Sequence, residues 1–78
     1  MLVSYSRHAR LRQRERAVSD SEVEDVLSGY EIELPAKHGR RNRYKTICGR
    51  RIRVTFDLWR DDDYYIWTVT ADEVSQQL

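Results

Sequence analysis

Arg51-Ile52-Arg53-Val54-Thr55-Phe56-Asp57-Leu58 sets the fold class, because apolar and polar residues alternate through all eight positions. A period of two belongs to a strand with one face in a core and the other toward solvent. The reading puts Ile52, Val54, Phe56 and Leu58 inward and Arg51, Arg53, Thr55 and Asp57 outward. A strand of this kind needs neighbours. Upstream, Arg43–Cys48 reads as a second strand, joined to the first by a short turn through Gly49-Arg50. Downstream, Arg60-Asp61-Asp62-Asp63 is too charged for anything but a turn. Tyr64–Thr70, rich in aromatic and β-branched residues, follows as another strand. Tyr30–Leu34 alternates as well, with Tyr30, Ile32 and Leu34 on one side of a half-buried strand that Pro35 ends. Four strands are thus expected. The end, Ala71–Leu78, is expected to be frayed or a short helical turn.

The amino-terminal half has a different period. Ser19 and Glu22 are spaced as a capping box, with each side chain able to bond the other residue's backbone N–H. Val23, Val26, Leu27 and Tyr30 then recur at i, i+3, i+4 and i+7, the spacing of a core-facing helix, and Gly29 supplies a left-handed stop. A first helix is expected over Ser6–Arg16, capped by Ser6 or Ser4. Only Ala9 and Leu11 are apolar in its body. Met1–Tyr5 packs before it as an arm or short strand. Two amino-terminal helices followed by strands predict an α+β domain, the helices covering one face of an antiparallel sheet and the other face open.

With 78 residues the expectation is a single domain, residues 1–78, near the size at which burial only narrowly outweighs chain entropy. Cys48 has no partner for an internal disulfide, and no apolar run is long enough for a signal peptide or membrane helix. A cytoplasmic setting without membrane association is expected, as is the absence of a cofactor or metal. Cys48 lacks a paired His at ligand spacing, and Asp61-Asp62-Asp63 lacks the rest of a calcium loop.

The formal net charge of +1 hides four blocks. Residues 7–16 carry five Arg against one Glu, and residues 20–33 carry six acids with no Lys or Arg. Residues 37–53 carry eight Lys or Arg without an acid, and residues 57–73 carry six acids against Arg60. If the basic blocks meet in space they make an anion site on a nearly neutral protein.

In the first block His8, Arg12 and Arg16 are successive i, i+4 neighbours with Glu15 beside them, while Arg7, Arg10 and Arg14 point elsewhere. Arginine's planar fork binds carboxylate and phosphate alike. The face is therefore either a clamp holding the helix to acids of the fold or a site in which His8 moves a proton and Arg12 and Arg16 stabilise phosphate charge. In the second block Lys37, Arg40, Arg41, Arg43, Lys45, Arg51 and Arg53 surround Tyr44. Cations that grip a backbone beside an aromatic that stacks on a base form a nucleic-acid surface. The alternative is a solvated edge whose charges block unwanted strand pairing. Trp59, Tyr64, Tyr65 and Trp67 are read as core or cross-strand pairs.

Ser6-x-His8-Ala9-x-x-Arg12-x-x-Glu15-Arg16-x-Val18-Ser19-x-x-Glu22-Val23-x-x-Val26-Leu27 resembles the opening of a small bacterial domain of unknown function, the DUF4258 family. Arg51-Ile52-Arg53-Val54 and Ile66-Trp67-Thr68-Val69-Thr70 resemble its later part. The resemblance implies a helix-helix-sheet domain similar to the RelE-like toxins and the metal-independent ribonucleases that share their fold. It carries over to His8, Arg12, Glu15 and Arg16. Gln13 stands where the family usually has an apolar residue, and Ala17 where it usually has Gly. The expected function is a toxin-like, RNA-directed domain, an endoribonuclease working through the ribose 2′-hydroxyl, with RNA as partner. The alternative expectations are a non-catalytic module that binds nucleic acid or an antitoxin-like protein, and a domain that assembles through Tyr64–Thr70 as an open sheet edge.

Overall fold

A computed structural model describes residues 1–74 of the chain. It shows an α+β arrangement of β1 (Leu2–Tyr5), α1 (Arg7–Arg16), α2 (Asp20–Gly29), β2 (Ile32–Pro35), β3 (Arg41–Ile47), β4 (Arg50–Trp59) and β5 (Asp63–Glu73). The five strands form one sheet in the order β1-β5-β4-β3-β2. Four were expected and the sheet was expected to be antiparallel. The fifth is the Met1–Tyr5 arm, which lies parallel to β5 with Leu2 opposite Asp63 and Tyr5 opposite Ile66. This makes the sheet mixed and puts the helices between β1 and β2 rather than at the chain's start. β5 is therefore an inner strand over Asp63–Ile66, so the Tyr64–Ile66 part of Tyr64–Thr70 offers no open edge. Ala71–Glu73 continues β5 instead of fraying; residues 75–78 of the expected tail lie outside the described residues.

Each helix begins as its caps dictate. The Ser6 hydroxyl accepts from the Ala9 N–H and donates to the Trp67 carbonyl, so it both starts α1 and fastens it to β5. The capping box of α2 is complete, with Ser19 Oγ accepting from the Glu22 N–H and Glu22 Oε1 accepting from the Ser19 N–H. Each cap of this type contributes roughly 1 kcal/mol. α1 packs on β5 and β1, and α2 on β3 and β4. Ala9, Val18, Val23, Val26, Leu27, Ile52, Val54, Phe56, Ile66 and Val69 close the core between them.

Leu58, expected inside, is exposed, as is Leu11. The scarcity of apolar residues on α1 is met by Gln13 instead. It is buried, and its Nε2 donates to the Val18 carbonyl and to Asp20 Oδ1. That paired amide satisfies the polar demand of the α1–α2 connection, which an apolar side chain would leave open. Ile32 and Leu34 are also exposed, because β2 turns them to the open side and turns Glu33 toward the helices; Tyr30, just after α2, is exposed as well but lies against Arg43 on the helix side.

Two residues at the helix ends exchange their expected roles. Gly29 closes α2 without a positive φ. A Cβ there would lie 3.0 Å from Lys45 Nζ, so its lack of a side chain clears the path from Lys45 to Asp25. The left-handed stop is made by Ala17, at φ 53° and ψ 49°, whose N–H returns to the Arg14 and Gln13 carbonyls. A Cβ in this region costs about 1 kcal/mol relative to glycine. Ala17→Gly is accordingly expected to raise stability by about 0.5–1 kcal/mol, read as a higher urea midpoint with an unchanged slope; a lower midpoint would contradict the strain.

Candidate nucleic-acid interface

Strand alternation divides the basic block 37–53 between the two faces of the sheet. Cys48 and Gly49, both at positive φ, make the two-residue turn between β3 and β4, one residue earlier than expected. Such a turn keeps directly opposed residues on one face, so Arg43 lies beside Val54 and Lys45 beside Ile52, on the side of the helices. Tyr44 lies beside Arg53 and Asn42 beside Thr55, on the open side.

On the helix side every cation is engaged. Arg43 is buried; its Nε donates to Glu33 at 2.7 Å, and its Nη1 donates to the Leu27 carbonyl at 2.7 Å and the Tyr64 hydroxyl at 3.1 Å. The guanidinium also lies over the rings of Tyr30 and Phe56, at 4.3 and 4.7 Å. Arg41 shares Glu33, and Lys45 Nζ reaches Asp25 at 2.7 Å. Arg50 donates to the Arg16 and Ala17 carbonyls and to Glu22. Arg43 and Arg50 thus satisfy terminal carbonyls of α2 and α1, where the helix dipole favours a cation. These arginines hold helices to the sheet, and Arg41, Arg43 and Lys45 do not join Arg51 and Arg53 as expected.

The acids of this layer are depressed by those contacts. Hydrogen bonding from Arg43, then from Arg41, holds Glu33 below its ordinary 4.5. The amide of Gln13, then Arg10, lowers Asp20, and the Ser19 N–H lowers Glu22. Depressed carboxylates stabilise the fold above their unfolded-state values, and this stability is lost as pH falls through the lower folded values. Unfolding midpoints are therefore expected to drop progressively below about pH 4.5. Glu33→Gln is expected to flatten that dependence, and an equally steep acid limb in this variant would contradict the assignment.

The open face is different. Lys37, Arg40, Arg51 and Arg53 form no ion pair among the described residues. Arg51 lies over Tyr44 at 5.1 Å, and Arg40 lies over Trp67 at 3.8 Å. Trp67 donates through Nε1 to Asp57 at 2.7 Å, which fixes the ring under Arg40. The register shift between Thr55 and Phe56 gives Trp67 its extra place in β5, beside the Ser6 contact. A hollow lined by Lys37, Asn42, Arg53 and Thr55 opens at the β3 side, with the Thr55 hydroxyl donating to Asn42 Oδ1. The Nε–H groups of Arg40 and Arg53 are buried and have no acceptor among the described residues. Buried donors are ordinarily paired, and these two stand out as unsatisfied.

Tyr65 stacks with Trp59 at 6.2 Å and meets Trp67 edge-on at 4.8 Å. Of the four aromatics read as core or cross-strand pairs, only Tyr64 turns inward, edge-on to Phe56. Tyr65 and Trp67 belong to the open face and were not among the expected binding residues. The signal for them was available: inward Ile66 and Val69 are three apart, which in a strand demands a bulge between them.

His8, Arg12 and Arg16 remain on α1. His8 and Arg16 are exposed, and Arg12 donates to Glu15 at 2.8 Å. The expected spacing is present, but no hydrogen bond or ion pair among the described residues joins these side chains to the open-face cations. No group of three or more His, Cys, Asp or Glu among the described residues could hold a metal ion. No helix there is long and apolar enough to cross a membrane.

The family model described as "Domain of unknown function (DUF4258)" matches residues 5–71. No curated protein matches the chain, and no solved structure does.

Proposed function

Since the chain belongs to the DUF4258 family, whose description names no chemistry, we propose from the geometry that it is an RNA-directed domain binding single-stranded RNA on the open sheet face. One observation carries this reading. Four cations without an ion pair among the described residues, two of them with buried unsatisfied donors, share that face with Tyr44, Tyr65 and Trp67. Phosphates take the cations and bases stack on the aromatics. Lys37, Arg40, Arg51 and Arg53 hold the backbone, and Asn42 with Thr55 adds neutral hydrogen-bonding groups between them.

The RelE-like resemblance supplies the class, a toxin-like domain acting on RNA, with an antitoxin-like protein as its natural counterpart. A second reading, metal-independent cleavage, is favoured by exposed His8, which has no hydrogen-bond partner among the described residues. In that reading His8 moves the proton of a ribose 2′-hydroxyl and Arg16, with Arg12 released from Glu15, steadies the phosphate. Binding is preferred, because the cations and aromatics of the open face, half-buried except for exposed Lys37, do not depend on α1.

Fluorescence anisotropy with a labelled single-stranded RNA tests the proposal. Four phosphate contacts predict a fall in affinity of about fifty-fold between 50 and 200 mM salt, and absence of salt-sensitive binding refutes it. In chelator the RNA is expected to stay intact. Cleavage that His8→Ala abolishes would replace the binding reading with the ribonuclease one.

A further inference from the structure

Toward the β4–β5 turn the open face changes character. Leu2, Asp63 and Trp59 stand abreast on β1, β5 and β4, with Ser4 and Tyr65 behind Leu2 and Asp63. With Arg60 of the turn they line a hollow of about 290 Å³. Trp59 and Leu2 are each 62% exposed, while Trp59 stacks against Tyr65 at an interplanar angle of 24°. The Asp63 carboxylate has no hydrogen bond or ion pair among the described residues, whereas that of its neighbour Asp62 meets the chain's amino group at 3.5 Å.

We propose that this hollow is a guanine subsite of the RNA surface, with the base stacked on Trp59 and its Watson–Crick edge read by Asp63 and Arg60. The assignment rests on the RNA-binding reading above and adds base specificity to it. Charge decides which part of an RNA can enter. Asp61, Asp62 and Asp63 surround the turn, so a phosphate is repelled there and attracted to the Arg53 region, while a neutral base is accepted. The separation suits one strand: Arg53 and Trp59 are six residues apart on β4, about 20 Å.

Hydrogen-bond chemistry then selects the base. A carboxylate has only acceptors and is matched by two adjacent donors. Guanine presents that pair in N1–H and N2–H, and its O6 accepts from a guanidinium. Adenine and cytosine place an acceptor next to their amino group, and uracil flanks its single N–H with two acceptors. Each of these would set a lone pair against Asp63.

The test uses oligouridine strands of one length carrying a single guanine, inosine or adenine, bound to the intact protein at fixed salt. Guanine is expected to bind about tenfold or more tighter than adenine, in line with a bidentate base contact. Inosine, which lacks the N2 amino group, is expected to fall between them. Asp63→Asn is expected to erase the preference from both sides, weakening the guanine strand and relieving the lone-pair repulsion against adenine, and circular dichroism checks that the variant is folded. Equal affinity for guanine and adenine strands overturns the subsite and leaves the RNA surface standing. A preference that persists in Asp63→Asn also overturns it, and failure to bind any strand refutes both. A dimer in light scattering that Trp59→Ala dissolves, without base preference, would assign the hollow to a second copy of the chain and overturn the proposal.

Discussion

Arg43→Ala is expected to cost about 3–5 kcal/mol of folding stability, the range for removing one member of a buried, hydrogen-bonded charge network. The loss has identifiable parts. Glu33 would keep only the more exposed Arg41, and the Leu27 carbonyl at the end of α2 would lose its donor. The space between Tyr30, Phe56 and Tyr64 would lose its filling. A small domain has only about 5–15 kcal/mol in total, so the variant is expected to be largely unfolded at 37 °C. Urea denaturation measures this directly. Arg43→Met, which restores volume without charge, is expected to recover part of the loss. A stability within 1 kcal/mol of the wild type would show that Arg43 is not the strut described.

The second large effect concerns ligand binding. Arg51→Ala combined with Arg53→Ala is expected to halve the salt dependence of RNA affinity, leaving about a sevenfold fall between 50 and 200 mM salt instead of about fifty-fold. Neither arginine has an ion pair among the described residues, so the folding midpoint is expected to move little. The paired comparison is informative: the Arg43 substitution acts on stability, and this one on affinity. An undiminished salt slope in the double variant would place the RNA elsewhere on the molecule.

The arginine-rich sequence does not display this division of labour, although much of it follows from elementary geometry. The alternation of Arg51–Leu58 and the capping box at Ser19 specify β4 and α2 because each is a local pattern. β1 is harder to see, since four residues become a strand only by pairing with β5, some sixty positions away. Gln13 and Glu33 look like surface residues and are drawn inward by distant partners. Arg43 and Lys45 could have been placed on the helix side from the sequence. A two-residue turn makes residues opposite Val54 and Ile52 share their face, whether it falls at Cys48-Gly49 or at Gly49-Arg50. The left-handed Ala17 departs from the glycine expected of its family at that position, and the backbone adopts the conformation nonetheless. Which cationic surface is left without acidic partners is not a local property at all, because it depends on which charges the fold has already neutralised.

Amide chemical-shift mapping of the protein with a short single-stranded RNA tests this division most directly. Binding on the open face predicts perturbations concentrated in Asn42–Tyr44, Arg51–Asp57 and Tyr65–Thr70, with the indole N–H of Trp67 among the most affected. Perturbations centred on His8, Arg12 and Arg16, with the sheet residues unmoved, would contradict it.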